Sequence, residues 1–342
     1  MENLSIADYP RLHQYSPVQG RKDLIEGIQT YRMKREGLRP EYDEIVVTAG
    51  ATGGLFGLAS ALISPGDEVI MLAPYWPLFG NAIRHYGGTT RSLSIFDCLA
   101  QPDALEELLT ALITPQTVAI YWNTPHNPTG MVLPKEWVET FVDVARAHNL
   151  WIVADEVYEH YAFENVHVYS RPLAPERTIS AYSFSKAFGM AGNRCGYLIG
   201  PAPVMKNVMS TTRNSFYSVT TSAQIAALNA LDGRGDKWAA ESARMYNDTG
   251  RKMAEILKIP PPQGSTFLFL DVESALDGRP LDHLLLRCAR RGLLVAPGGS
   301  FGEFDTSIRI CFTSAPPEVV LAGAQILREE IDAIARKGIG PS

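Results

Sequence analysis

Short apolar runs that end in glycine or a polar residue alternate with longer amphipathic stretches through the first two thirds of this 342-residue chain. No other feature constrains the fold as strongly. A strand covered on both faces reads as an unbroken apolar run, and two parallel strands need a crossover between them, usually a helix. EIVVTAG (44–50), EVIMLAP (68–74), TVAIYWN (117–123), LWIVADE (150–156) and RTISAYSF (177–184) are therefore read as strands, with GYLIGP (196–201) as one more. Helices are expected between them at 51–63, 103–112 and 134–147. The pattern is that of an α/β fold built on a mostly parallel sheet.

The last third differs. A helical region (223–258) precedes PPPQGSTFLFLDV (260–272), a strand entered through a Pro/Gly turn. A helix near 281–291, the strand SIRICF (307–312) and a long helix over 317–336 complete a smaller α+β unit. LDGRGD (231–236) breaks the pattern, so the expected organisation is an N-terminal arm (1–22), a large domain (23–235) and a small C-terminal domain (236–342).

A net charge of −6 argues against nucleic acid or an anionic membrane as the main partner. Cys98, Cys195, Cys288 and Cys311 form no CxxC pair, which fits reduced thiols rather than a disulfide framework or a metal site. MENLSIADYP has no apolar core of a signal peptide, and no run of about 18 apolar residues is present to span a bilayer. A cytoplasmic location is the expectation.

In open parallel sheets, ligands sit beyond the carboxyl ends of the strands. Five such ends here carry polar or aromatic residues: Gly50–Thr52, Trp76, Asn127, Asp155 with Tyr158, and 183–186. A lysine is ordinarily a solvated surface group. Lys186, however, follows an apolar strand and precedes a small-residue turn, and a lysine held in a dry site loses its proton and attacks a carbonyl to form a Schiff base. Ser183 and Arg194 flank it with groups suited to a phosphate, the guanidinium gripping two oxygens at once. Asp155 ends an apolar strand, where a bare carboxylate is costly. It is either a helix cap or ion-paired acid, or the partner of the protonated ring nitrogen of pyridoxal 5′-phosphate (PLP), keeping that ring an electron sink. Tyr158 is placed to donate to the cofactor phenolate, whereas strand alternation turns Glu156 away.

Asn127 precedes a proline, which favours a fixed and even cis peptide, while His126 is read as structural. Gly50, Ala51 and Thr52 open a helix whose free N–H groups face any bound anion, though a lone glycine turn is weak evidence. Trp76 either stacks on a cofactor ring or packs in the core. Arg309, inside an apolar strand, needs an anion, either a structural acid or a substrate carboxylate.

Together the motifs Y-S-P-V-Q-G (15–20), T-A-G-A-T-G-G (48–54), H-N-P-T-G (126–130), A-D-E-V-Y (154–158), S-F-S-K (183–186) with Arg194, P-G-G-S-F-G (297–302) and S-I-R-I (307–310) stand in a recognisable order. Over residues 15–336 the chain resembles fold-type I PLP enzymes of the class I/II aminotransferase group. The resemblance implies a three-layer large domain and transamination between an α-amino acid and a 2-oxo acid. The runner-up is a PLP lyase or carbon–carbon bond-forming enzyme of specialised metabolism. It implies that Lys186 carries the cofactor and shuttles the substrate proton, and that Asp155 holds the pyridinium. Tyr158 and Asn127 then hold the phenolate oxygen, and Trp76 stacks on the ring. Ala51, Thr52, Ser183 and Arg194 take the phosphate, and Arg309, with Asn127, takes the substrate carboxylate. Tyr15 is expected to reach a neighbouring subunit's phosphate, making a homodimer with shared active sites. Two departures accompany it. Only residues 1–14 precede Tyr15, where the group has a longer segment that closes over the substrate, so either a shortened chain or a more open site is expected. No arginine for a substrate's distal acid is evident beyond the neighbourhood of Arg213 and Asn214.

Overall fold

The computed structural model describes residues 5–164 and 166–337. The first four residues of the expected arm and the last five of the expected C-terminal unit thus lie outside the described residues.

Seven strands form the main sheet: β1 (Ile45–Thr48), β2 (Glu68–Ala73), β3 (Thr89–Ser94), β4 (Thr117–Asn123), β5 (Trp151–Asp155), β6 (Thr178–Ser183) and β7 (Gly196–Ile199), in the order β1-β7-β6-β5-β4-β2-β3. β3, β2, β4, β5 and β6 run parallel, and β7 lies antiparallel between β6 and β1. A second sheet, β8 (Phe267–Asp271), β9 (Ala296–Pro297) and β10 (Ser307–Cys311), is antiparallel in the order β8-β10-β9.

The apolar runs became strands because both faces of the main sheet are covered. Within β2, Val69 and Met71 join one buried cluster with Leu55, Leu58 and Leu198, whereas Ile70 and Leu72 join another with Trp122, Phe141 and Ile152. Each buried side chain of this size contributes about 1.5–3 kcal/mol. β3, TTRSLS, is an edge strand with only Leu93 buried, so it offered no apolar run to read. Helix Lys22–Glu36 was also unexpected, because it buries Gln29 and Arg32 among its apolar residues and shows no clean stripe. Helices Pro77–His85 and Ala202–Ser215 went unread as well. The helical region at 223–258 is two helices, Thr221–Ala230 and Arg234–Leu257, parted at Gly233 with φ +96°. The stretch at 103–112 is a 3-10 turn, Pro102–Ala104, leading into helix Leu105–Thr110.

The pleat at the end of β5 sends two adjacent acids to opposite sides. Asp155 faces the rim described below, and Glu156 enters a buried ionic knot. At the centre of that knot lies Arg32, with no exposed surface. Its Nη1 and Nη2 donate to Glu159 at 3.0 and 2.7 Å, and Nη1 also to Glu36 at 3.2 Å. The guanidinium stacks 4.1 Å over the Tyr182 ring. Removing one member of such a buried pair costs about 3–5 kcal/mol, because the other charge is stranded.

Tyr182 Oη lies 2.8 Å from Glu36 and 2.5 Å from Glu156. One phenol has one proton, so the second contact requires a protonated carboxyl. Burial, with Glu36 and Glu159 nearby, raises Glu156 to about 8, against the Tyr182 and Ser170 hydrogen bonds. His167 also faces it, its Nε2 3.9 Å away. The folded state holds this proton more tightly than the unfolded chain. The contribution is therefore full below the ordinary value of 4.5 and is lost as pH rises through about 8. The melting temperature should thus fall between about pH 5 and about pH 8, and Glu156→Gln, which fixes the neutral form, should flatten that fall. An equal fall in the variant would assign the titration to another group.

Candidate active site

At the carboxyl ends of β4, β5 and β6 the structure opens a cleft of about 290 Å³. Ala51, Thr52, Trp76, Asn127, Asp155, Tyr158, Ser183, Lys186, Arg194 and Arg309 all line it. Of the residues read as site residues from sequence, Tyr15 alone lies outside: it is 88% exposed, with its ring 5.2 Å from that of Tyr217. Arg213 and Asn214 are exposed at the end of helix Ala202–Ser215 and do not line the cleft. A larger groove, about 750 Å³, runs along the C-terminal helix between Leu293, Val295 and Val320 and shares only Arg309 with the cleft. Its lining is mainly aliphatic, so the chemistry belongs to the smaller cleft.

Three anion-binding elements meet at one end. Helix Gly50–Leu62 starts at the rim with no side-chain cap, leaving its first N–H groups free. Gly50 has φ +68°, and a Cβ there would stand 2.7 Å from Arg194 Nη2. Gly196 allows β7 to begin against the same helix start, since a Cβ there would meet Ala51 N and Tyr182 O, each at 2.7 Å. Arg194 itself is left-handed (φ +50°), and its Nη1 donates to Ala191 O at 3.0 Å. No carboxylate pairs with it among the described residues. Ser183 and Ser185 add hydroxyls, Ser183 Oγ accepting from Ser185 N–H at 3.1 Å. A guanidinium, two hydroxyls and a helix N-terminus fit a phosphate. Ser185 was not singled out in the sequence.

Asp155 occupies the opposite wall. It is 4% exposed; Oδ2 accepts from Tyr121 Oη at 3.0 Å and Oδ1 from Val157 N–H at 3.3 Å. Burial raises its carboxyl to about 6, while these two bonds and the Lys186 charge pull it down. No ion pair neutralises it among the described residues, and it begins no helix, so neither structural explanation of the sequence reading accounts for it. Its backbone carbonyl accepts from Asn123 Nδ2 at 2.7 Å, and Asn123 Oδ1 accepts from Asn127 N–H at 2.7 Å. Asn123 thereby ties the tip of β5 to the loop carrying Asn127, whose peptide with Pro128 is cis as expected. Tyr121 and Asn123 were missed because they sat inside what read as an apolar strand; only their shared parity on β4 hinted at a common face.

The sequence placed Lys186 in a dry site, and the structure corrects this: its side chain is exposed at the cleft mouth. Protein packed around its stem still lowers its pKa, aided by Arg309 and Arg194 and opposed chiefly by Asp155. Its Nζ lies 5.4 Å from the Tyr158 ring centroid. Burial, with Asp155 nearby, raises Tyr158 well above the usual tyrosine range, so this phenol stays protonated.

Arg309 Nη1 donates to Asn127 Oδ1 at 3.1 Å, and its guanidinium lies 4.2 Å from the Phe267 centroid and 4.6 Å from that of Phe301. Its Nε is buried without a hydrogen-bond partner and no acid pairs with it among the described residues, which leaves donors for an incoming carboxylate. His126 is buried with Nδ1 2.8 Å from Thr129 Oγ1, and burial lowers its pKa to about 4, consistent with a structural role. No group of side chains suited to a metal ion occurs among the described residues.

The sequence profile described as "Aminotransferase class I and II" matches residues 1–326. An aspartate/prephenate aminotransferase of Thermus thermophilus is 33% identical over 319 residues, covering 88% of this chain and 79% of the relative. A methionine aminotransferase of Escherichia coli is 28% identical, over 93% of this chain and 84% of the relative. Among solved structures, aspartate aminotransferase from Thermus thermophilus with maleate superposes with a TM-score of 0.83 at 30% identity, covering 97% of this chain and 85% of that one.

Gly50→Ala tests the anion cradle, because the added methyl collides with Arg194 and forces a strained φ. PLP titrated into the stripped protein should bind about tenfold or more weakly, the scale of one lost charged hydrogen bond. Gly66→Ala, also at positive φ but with open space around it, should leave that affinity unchanged.

Proposed function

Because this chain belongs to the class I and II aminotransferases, enzymes that depend on PLP, we propose that its cleft transfers an amino group between an α-amino acid and a 2-oxo acid with Lys186 as the cofactor lysine. The observation that carries the assignment of residues is the uncompensated Asp155 carboxyl, facing the same small cleft as Lys186 and the anion cradle. The cofactor, when bound, supplies an electron sink for the pair left at the substrate α-carbon.

The chain's own groups do the rest. Asp155, buried and without an ion pair among the described residues, would take the ring N–H. Its carboxylate is supported by Tyr121 and Val157, so it stays a hydrogen-bond acceptor when a positive ring approaches. Tyr158, protonated, and the Asn127 amide would donate hydrogen bonds to the ring oxygen. Arg194, Ser183 and the first N–H groups at Ala51 and Thr52 hold the phosphate, and Trp76 covers the ring face. Arg309, stacked between two phenyl rings, presents its unused donors to the substrate carboxylate while Asn127 fixes its other edge. Lys186, with its lowered pKa, would hold the cofactor and serve as the base for the proton at the substrate α-carbon.

The relatives' printed names range from aspartate and prephenate to methionine, so the amino donor is read as an α-amino acid without a fixed side chain. We further infer a homodimer in which Tyr15 completes the neighbour's phosphate site; its exposure and its absence from the lining of this chain's own cleft support that reading. The proposed organisation is an arm (1–22), a large domain (23–235) and a small domain (236–342), supported by separate sheets ending at Ile199 and starting at Phe267. Four free thiols support a cytoplasmic place in amino-acid metabolism.

Single amino acids added to purified protein should leave the cofactor in its amine form with one 2-oxo acid released per site. Released ammonia would favour a lyase instead. Lys186→Ala should lose the visible lysine–cofactor band and all turnover. Asp155→Ala should retain some cofactor yet lose at least about a hundredfold in rate, the scale of a missing preorganised charge; an unchanged rate would remove Asp155 from its role.

A further inference from the structure

Asp155 and Tyr158 stand on a turn that is anchored from behind by groups outside the cleft. The turn runs from the end of β5 through the 3-10 helix Glu159–Tyr161, with Glu159 N–H donating to Glu156 O at 3.0 Å and Tyr161 N–H to Tyr158 O at 2.7 Å. Its members leave it in three directions. Tyr158 enters the cleft. Tyr161 Oη donates to the backbone carbonyl of Lys186 at 3.1 Å, joining the turn to the cofactor lysine. Glu159 points back into the buried knot, where Arg32 holds both of its oxygens and Tyr169 Oη donates to it at 2.6 Å.

The same knot grips the neighbouring strand. Tyr182, one residue before Ser183 of the phosphate end, lies under Arg32 and bonds Glu36 and Glu156. Arg171 Nε closes the ring on Glu36 at 2.9 Å. Outside it, Tyr31 Oη links Asp236 at 2.7 Å and His160 Nε2 at 2.7 Å, fastening helix Lys22–Glu36 to the start of helix Arg234–Leu257. One planar fork therefore fixes the back of both strand tips whose fronts form the cleft. A stacked, bidentate guanidinium sets distance and orientation together, which a flexible ammonium does not.

From this arrangement we infer that Arg32 and Glu159 are positioning residues for the proposed reaction: their ion pair sets the depth at which Asp155 and Tyr158 meet the cofactor. The inference rests on the cofactor reading above. Misplacement of a reacting or supporting group by about 1 Å costs up to about a hundredfold in rate, so the knot's leverage is large although it touches no ligand.

The test compares Arg32→Lys, Glu159→Gln and the double variant Arg32→Met/Glu159→Met in the PLP-loaded enzyme. Three quantities are read: the melting temperature of the stripped protein, the pH midpoint of the lysine–cofactor absorbance band, and kcat and KM with one active amino acid. The double variant leaves neither charge of the pair stranded, Glu36 keeps Arg171, and Arg35 loses Glu159 in both variants, so its melting temperature should exceed that of Glu159→Gln. Its absorbance midpoint should nevertheless move by about half a pH unit or more, and kcat should fall about tenfold or more with a smaller change in KM. Arg32→Lys keeps the charge and should show the same spectral shift, so a double variant that fails to fold leaves the inference open to refutation by the lysine variant. A wild-type midpoint and kcat in either folded variant would overturn it, leaving the pair a purely structural anchor. Wild-type protein that shows no lysine–cofactor band, or a band that survives Lys186→Ala, would instead overturn the cofactor reading itself.

Discussion

The cleft depends on a carboxyl group kept out of water with no ion pair to it among the described residues. Burial of an ionised acid costs several kcal/mol, and at Asp155 a phenol, one backbone N–H and the unpaired charge of Lys186 offset part of that. The result is an acid raised to about 6, close to the point of choosing a proton. Such a group gains from any positively charged ring that enters, and the protein tolerates the cost because the surrounding sheet is packed on both faces. Binding energy for the cofactor ring is thus set aside in advance by the fold.

Geometry makes that arrangement possible in only a few residues. At the end of β5 the alternation of a strand separates Asp155 and Glu156 by one residue and by the thickness of the sheet. The front acid is left unmatched and the rear one is locked among Arg32, Glu36, Glu159 and Tyr182. Rigidity comes from the satisfied rear side, and reactivity from the unsatisfied front.

Most of the sheet and nearly all of the cleft were legible in the sequence, for identifiable reasons. Buried parallel strands read as continuous apolar runs, and the groups at their ends stand out because polar residues seldom close such runs. Edge strand β3 escaped notice since half of it faces water. Helix Lys22–Glu36 escaped because its buried face carries Arg32 and Gln29, and a charge inside a helix pattern reads as a solvated face until its partners are seen. Those partners, Glu159 and Tyr182, lie more than a hundred residues away, so no local pattern reveals them. Tyr121 was hidden in the opposite manner, as an aromatic residue in a run where aromatics are ordinary core. The exposure of Lys186 likewise depends on how the walls of the cleft meet, which no window of sequence contains.

β7 has its own consequence. It is the one strand reversed within the main sheet, so its first residue, not its last, lies at the rim. The chain therefore visits the rim twice in quick succession, leaving β6 at Ser183 and returning at Gly196, with only the 3-10 turn Ala191–Asn193 in between. Lys186 and Arg194 are eight positions apart on that excursion. Seven residues, including the 3-10 turn Ala191–Asn193, join them. The spacing of the two cations is consequently a property of the loop's length, so an insertion or deletion in this stretch would change it directly.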